Sequence, residues 1–240
     1  MARNPATEVA VFSGFPEATF RFLKGLTADN SKAWFAAHRD DYEQGYVAPA
    51  KALVAALGPP LRKISPTVQY EPKVNGSLFR INRDVRFSKD KSPYKNHLDL
   101  WFWHGAHRGW SAPGFFFRLF ADRVIVGGGM HQFEKPLLDR YRQAVVAPRA
   151  GAALEKAIAA VAAAGPWTIG GASRKTVPRG FDPDHPRAAL LRHEGLWAER
   201  TVATGKETRS AKFAADCLER FAETKPLVAW LLTNVAPGPL

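Results

Sequence analysis

The sequence predicts an α+β protein, a central antiparallel sheet packed by N-terminal and C-terminal helices, and three observations carry that expectation. Apolar residues recur at helical spacing near both ends of the chain, the middle changes to a period of two, and short connections at 104–109 and 121–123 join the period-two runs as antiparallel neighbours require. The 240 residues, 46% hydrophobic and 23% charged, are ordinary globular composition. With no internal repeat or low-complexity tail, 1–240 reads as a single domain: helical at 15–65, mostly β at 78–130, and helical with a long loop at 134–236.

Pro16 suits the first turn of a helix through about Leu26, and Asp29, Asn30 and Ser31 offer caps for a second helix through Trp34, Phe35, His38 and Tyr42. Gly45 and Pro49 punctuate it; Ala50 to Ile64 reads as a further helix broken at Gly58, Pro59 and Pro60. Phe79, Ile81, Arg83, Val85 and Phe87 alternate with Arg80, Asn82, Asp84 and Arg86, the pattern of a strand with one apolar and one polar face. Strands are expected at His97 to Trp103, Gly114 to Ala121 and Val124 to Val126. The Phe-rich run from Phe115 to Phe120 fills both faces and reads as central and covered on both sides. Helices follow at Glu134 to Val146, Pro148 to Ala164 and Arg209 to about Val235, with a break at Pro226; Ser173 to Pro186 is a long irregular segment.

Thirty-four Lys and Arg against 22 Asp and Glu give a net charge of +12, which favours negative partners such as nucleic acid, nucleotides or anionic surfaces. A single cysteine, Cys217, excludes an internal disulfide and fits a reducing compartment; it lies on an apolar helical stripe with Phe213, Ala214, Leu218 and Phe221, so it reads as core. The start, MARNPATEVAVFSGF, has no basic head followed by a long apolar run, and the Ala-rich stretch 151–165 is too short to span a bilayer. The expectation is a cytoplasmic protein with no membrane span.

The chemistry concentrates in FRINRDVRFSKDKSPYK, Phe79 to Lys95, where six cations (Arg80, Arg83, Arg86, Lys89, Lys91, Lys95) face two anions (Asp84, Asp90). Guanidiniums on a rigid element with ammonium groups beside them suit phosphate, and Asn82 shares their face. Tyr94, with Trp101 and Trp103, offers stacking surfaces for a base. Arg83 and Arg118 sit on apolar faces, so each must snorkel or find a carboxylate, Asp84, Asp99 and Glu71 being nearest in sequence. The alternative for the whole stretch is a solvated, charged edge strand that blocks sheet-to-sheet pairing.

Arg80 to Lys95 resembles the signature of a family of conserved hypothetical proteins, domain of unknown function 2461. Asn30 to Tyr42 (with Trp34, Phe35 and Arg39), Gly127 to Gly129, and Pro178 to Pro186 are similar to further family features. The resemblance implies an α+β domain of bacterial type and carries no activity, cofactor or ligand with it.

Weaker constellations accompany this one. Gly127-Gly128-Gly129 before His131 could cradle a phosphate but reads as a bulge or tight turn; His104 and His107 read as a solvated loop without metal-ligand spacing; His38 reads as packing. Asp182, Asp184 and His185 form the acid–base candidate outside the central segment, against turn formation at Asp182-Pro183 and His185-Pro186. The leading expectation is binding of a phosphate-bearing anion, a nucleotide or nucleic acid, through a strand-turn at 80–95. An enzyme acting on a phosphorylated or anionic small molecule, with Asp84, Asp90, Asp182 and His185 handling protons or a metal, is the alternative, and docking of an acidic protein partner is a third. No metal site is expected, and the cofactor and oligomeric state are left open.

Overall fold

The computed structural model describes residues 10–105, 109 and 111–236; the leader reading at the very N-terminus and His107 lie outside them. Six antiparallel strands form one sheet in the order β1-β2-β3-β4-β6-β5. They are β1 (Val68–Gln69), β2 (Leu98–His104), β3 (Gly114–Leu119), β4 (Arg123–Met130), β5 (Thr168–Ala172) and β6 (His193–Ala203). The helices are α1 (Glu17–Ala28), α2 (Lys32–Ala37), a single turn α3 (Arg39–Asp41), α4 (Ala48–Ile64), α5 (Lys135–Val146), α6 (Pro148–Ala164) and α7 (Phe213–Asn234).

Alternation decides which side of the sheet each residue joins. Leu98, Leu100 and Phe102 of β2, Phe115, Phe117 and Leu119 of β3, and Val124 and Val126 of β4 turn to one face. There they pack with α1, α4 and the first half of α7 in the larger core. Met130, Leu196 and Ala198 carry that face into a second cluster with α5, α6 and the last turns of α7. Asp99, Trp101 and Trp103, Phe116 and Arg118, and Trp197 and Glu199 belong to the opposite face, where Trp101, Trp103 and Ala112 make a small cluster with Phe79 and Phe116 against it. The Phe-rich β3 is thus central, as its composition predicts, with Phe115, Phe117 and Leu119 buried on the helix side and Phe116 and Arg118 only half-buried on the other.

Several boundaries differ from expectation, each for a packing reason. α4 runs unbroken through Pro59 and Pro60, and α7 through Pro226. Leu53, Leu57 and Leu61, and Phe221, Leu227 and Leu231, are fully buried on either side of those prolines, and burial of that many side chains exceeds the roughly 3 kcal/mol that an interior proline costs. Between α3 and α4 the chain is π-helical over Tyr42–Val47, which aims Tyr42, Tyr46 and Val47 into the core. Gly127 to Gly129 form no turn; they lie inside β4, where a Cβ on Gly128 would stand 2.5 Å from Thr224 Oγ1 of α7, so the missing side chain lets that helix press onto the sheet. β5 and β6 lie in the region expected to hold only helices and a loop. Within it, 173–186 is indeed irregular.

Phe79–Phe87 is not a strand. Trp101 N donates to Ser77 O (2.9 Å) and Phe79 N to Asp99 O (3.1 Å), so the chain touches the edge of β2 and then leaves it. It pairs with its own returning limb instead: Arg83 N to Pro93 O (2.9 Å) and Lys95 N to Ile81 O (2.8 Å). The alternation is present in the sequence, but beyond Ile81 no neighbouring strand is there to receive it. Asp84 then turns the chain by accepting the Arg86 N–H (3.2 Å).

Candidate functional site

The segment 80–95 is a loop closed at its base and tied from within. Arg83 donates to Asp90 and to Ser92 O (3.3 Å), Asp90 accepts from Ser92 N (2.9 Å) and Ser92 Oγ (2.6 Å), and Lys91 Nζ reaches Val85 O (3.0 Å). Asp84 takes a two-pronged pair from Arg86, Nε to Oδ1 at 2.9 Å and Nη2 to Oδ2 at 2.7 Å. Hydrogen bonds from the Arg86 side chain and backbone hold the Asp84 carboxyl at about 2. Those from Ser92, followed by Arg83, do the same for Asp90. Both carboxylates are therefore fixed anions near neutral pH. Phe87 stands at the tip, 95% exposed.

Lys95 leaves the loop to anchor it on the sheet. Its Nζ lies 3.2 Å from Asp99 Oδ2, where His97 Nε2 also arrives at 3.2 Å, and Arg118 Nε bonds Oδ1 at 2.6 Å. Burial opposes the charge on Asp99, but the hydrogen bond and charge of His97, then Arg118, outweigh it and hold the carboxyl below the usual range. Of the carboxylates considered for Arg118, Asp99 is the one it uses; Arg83 takes Asp90, which lies on the loop itself.

Of the six cations, Arg83, Arg86, Lys91 and Lys95 are thus engaged by the protein's own groups, which leaves Arg80 and Lys89 without an ion-pair or hydrogen-bond partner among the described residues. Arg80 opens onto a groove between the loop base and α2, where it meets Lys32, Arg39, Asn82, Phe35 and Tyr94. Asn30 builds this junction: its Oδ1 accepts from Tyr94 N (2.9 Å) and its Nδ2 donates to Tyr94 O (3.1 Å), while the Tyr94 ring stacks on Phe35 at 4.3 Å. The N-cap Ser31, accepting from Trp34 N at 3.1 Å, starts α2 so that Lys32, Phe35 and Arg39 line that groove. Arg39 lies 5.5 Å from the Tyr42 ring and pairs with Glu43 (3.1 Å). Sequence reading missed Lys32, whose signal was only its position three residues before Phe35 on a capped helix.

The other candidates sit elsewhere. Asp182 Oδ1 accepts from Asp184 N (2.9 Å) and His185 Nδ1 from Arg187 N (3.0 Å), both turn contacts; among the described residues no hydrogen bond or ion pair joins them to 80–95. His104 is not a solvated loop residue: it ends β2 at 2% exposure, between Ser65 Oγ (3.1 Å) and Thr67 Oγ1 (2.8 Å), and burial lowers its pKa to about 4. His38 stacks on Trp34 at 4.0 Å. Among the described residues no three His, Cys, Asp or Glu side chains cluster to hold a metal, and no helix is long and apolar enough to cross a membrane.

Fold and site together define an α+β protein with one antiparallel sheet and a basic, self-braced loop packed against its N-terminal helices. The chain matches the conserved hypothetical protein family DUF2461 over residues 18–230, and it belongs to that family. No curated protein matches it.

Proposed function

We propose that the groove between α2 and the loop base binds a phosphate-bearing anion, a nucleotide or a stretch of nucleic acid. The observation that carries this reading is the convergence of Lys32, Arg39 and Arg80 on one groove, with Arg80 unpaired among the described residues. A guanidinium held on a braced backbone with no carboxylate at ion-pair distance among the described residues is suited to a phosphate, and the net charge of +12 draws polyanions toward it. Phe35 and Tyr94 supply aromatic edges beside the cations. The enzyme alternative needs a proton carrier, and Asp84 and Asp90, locked as anions, are poor ones; binding is the reading the geometry favours.

Fluorescence anisotropy with a labelled single-stranded oligonucleotide, and competition by ATP, tests this. Arg80→Ala should weaken binding roughly tenfold with an unchanged circular dichroism spectrum. It should also flatten the dependence of log K on log salt by about 0.7, the contribution of one phosphate contact to a single strand. Absence of binding by both probes at low salt, or an Arg80→Ala variant that binds like the wild type, would overturn the proposal.

A further inference from the structure

A second cavity lies on the face of the sheet opposite the helices and shares no lining residue with the basic groove. The space it leaves to water-sized molecules is about 70 Å³. Its floor is β4, and its walls are aromatic: Trp101 of β2 and Phe116 of β3, nearly parallel at 6.3 Å, and Trp197 of β6 with the His131 ring 4.7 Å away at the rim. Gly129 of β4 lies opposite Trp197 and Gly127 lies opposite Glu199 beneath the Phe116 ring, so from β4 it is Ile125 that lends the hollow its side chain.

Two polar groups are aimed into this aromatic slot from opposite strands. Arg118 gives Nε to Asp99, and its terminal nitrogens carry no hydrogen bond among the described residues. Glu199 accepts the Trp197 indole N–H on Oε2 at 3.1 Å, and Oε1 likewise carries none. Partial desolvation, then the Arg118 charge, lower the pKa of His131, so its imidazole is neutral at pH 7.

We infer that this cavity is a binding site for a neutral, planar nitrogen heterocycle of nucleobase type, stacked against the aromatic walls, with a ring carbonyl facing Arg118 and a ring N–H facing Glu199. Each alternative class meets a penalty. A hydrocarbon desolvates a guanidinium and a carboxylate without replacing their hydrogen bonds; an anion meets Glu199; a cation meets Arg118. A ring with a donor edge and an acceptor edge satisfies both and offers a π-face to tryptophan.

Ligand-observed saturation-transfer NMR on the full chain tests this with uracil, cytosine, adenine and guanine as free bases, and with toluene and benzoate as controls. At least one base should show transfer, toluene and benzoate should not compete with it, and Glu199→Gln and Trp197→Leu should each weaken it tenfold or more. Arg80→Ala, which disables the separate groove, should leave it unchanged. Circular dichroism and thermal melts establish that each variant folds. The inference is overturned if no base binds, if toluene binds as well as the best base, if Glu199→Gln binds like the wild type, or if Arg80→Ala abolishes the signal and so moves the heterocycle to the groove.

Discussion

Acid should destabilise this protein between pH 7 and pH 5, with His104 the histidine whose share can be worked out. His104 is enclosed at the end of β2 by Ser65 and Thr67, and burial lowers its folded-state pKa from 6.5 to about 4. In the unfolded chain the ring protonates near 6.5, so below that pH the unfolded state binds more protons than the native one, and stability falls as pH falls. The stabilisation is complete above 6.5 and lost on the way down to the folded pKa. With those two values the linkage relation gives a loss of about 2 kcal/mol between pH 7 and pH 5, and about 3 kcal/mol in all. Urea titrations at the two pH values, followed by tryptophan fluorescence, measure it. His131 and His193, also lowered, act in the same direction, so the informative quantity is a difference of differences. His104→Gln should lose about 2 kcal/mol less than the wild type over that interval, whatever its stability at pH 7. Equal losses in the two proteins would refute the assignment.

Two further outcomes rest on burial. Asp99→Asn leaves Arg118, Lys95 and His97 around a neutral amide in a site where Asp99 is 4% exposed, and it should cost about 3–5 kcal/mol in urea denaturation, whereas Asp84→Asn, at an exposed pair, should leave the midpoint unchanged. Cys217 is fully buried and its thiol is pushed well up by that burial, so Ellman's reagent should label it only as fast as the protein opens; rapid labelling of the folded protein would contradict the packing of α7.

How much of this could be read from residues alone depends on whether a residue's partner is local. Ser31 and Pro16 mark helix starts through contacts with their own turns, and β3 declares its central place because Phe115, Phe116 and Phe117 have no polar side to offer. Phe79–Phe87 misleads because period-two alternation is a property of the segment, while strand pairing requires a neighbour, and here the nearest neighbour is the loop's own returning limb. β6 goes unread for the converse reason. With Glu194, Glu199 and Arg200 in it, its composition is not strand-like, and it is extended because β4 and β5 flank it. At the site, Arg80 and Asn82 were legible as charge and face. That four of the six cations are already engaged was not, because their partners are backbone carbonyls and carboxylates whose direction only the loop's turns determine. Trp197 and Glu199 were invisible as a pair with Arg118 because β3 and β6, distant in the chain, bring them to one hollow.

The position of α7 has a consequence for how the protein is made. It closes the larger core with Cys217, Phe221 and Val228 and the smaller one with Leu227, Trp230 and Leu231, and it comes last in chain order among the described elements. During vectorial synthesis, β2, β3 and β4 emerge early and can pair, with Phe15 already made and able to stack on Phe117, yet Phe102 and Phe115, which pack on Phe221, stay uncovered there until α7 has left the ribosome. The nascent chain thus passes through a stage with an open aromatic sheet face, the kind of surface that chaperones hold and that aggregates when they do not.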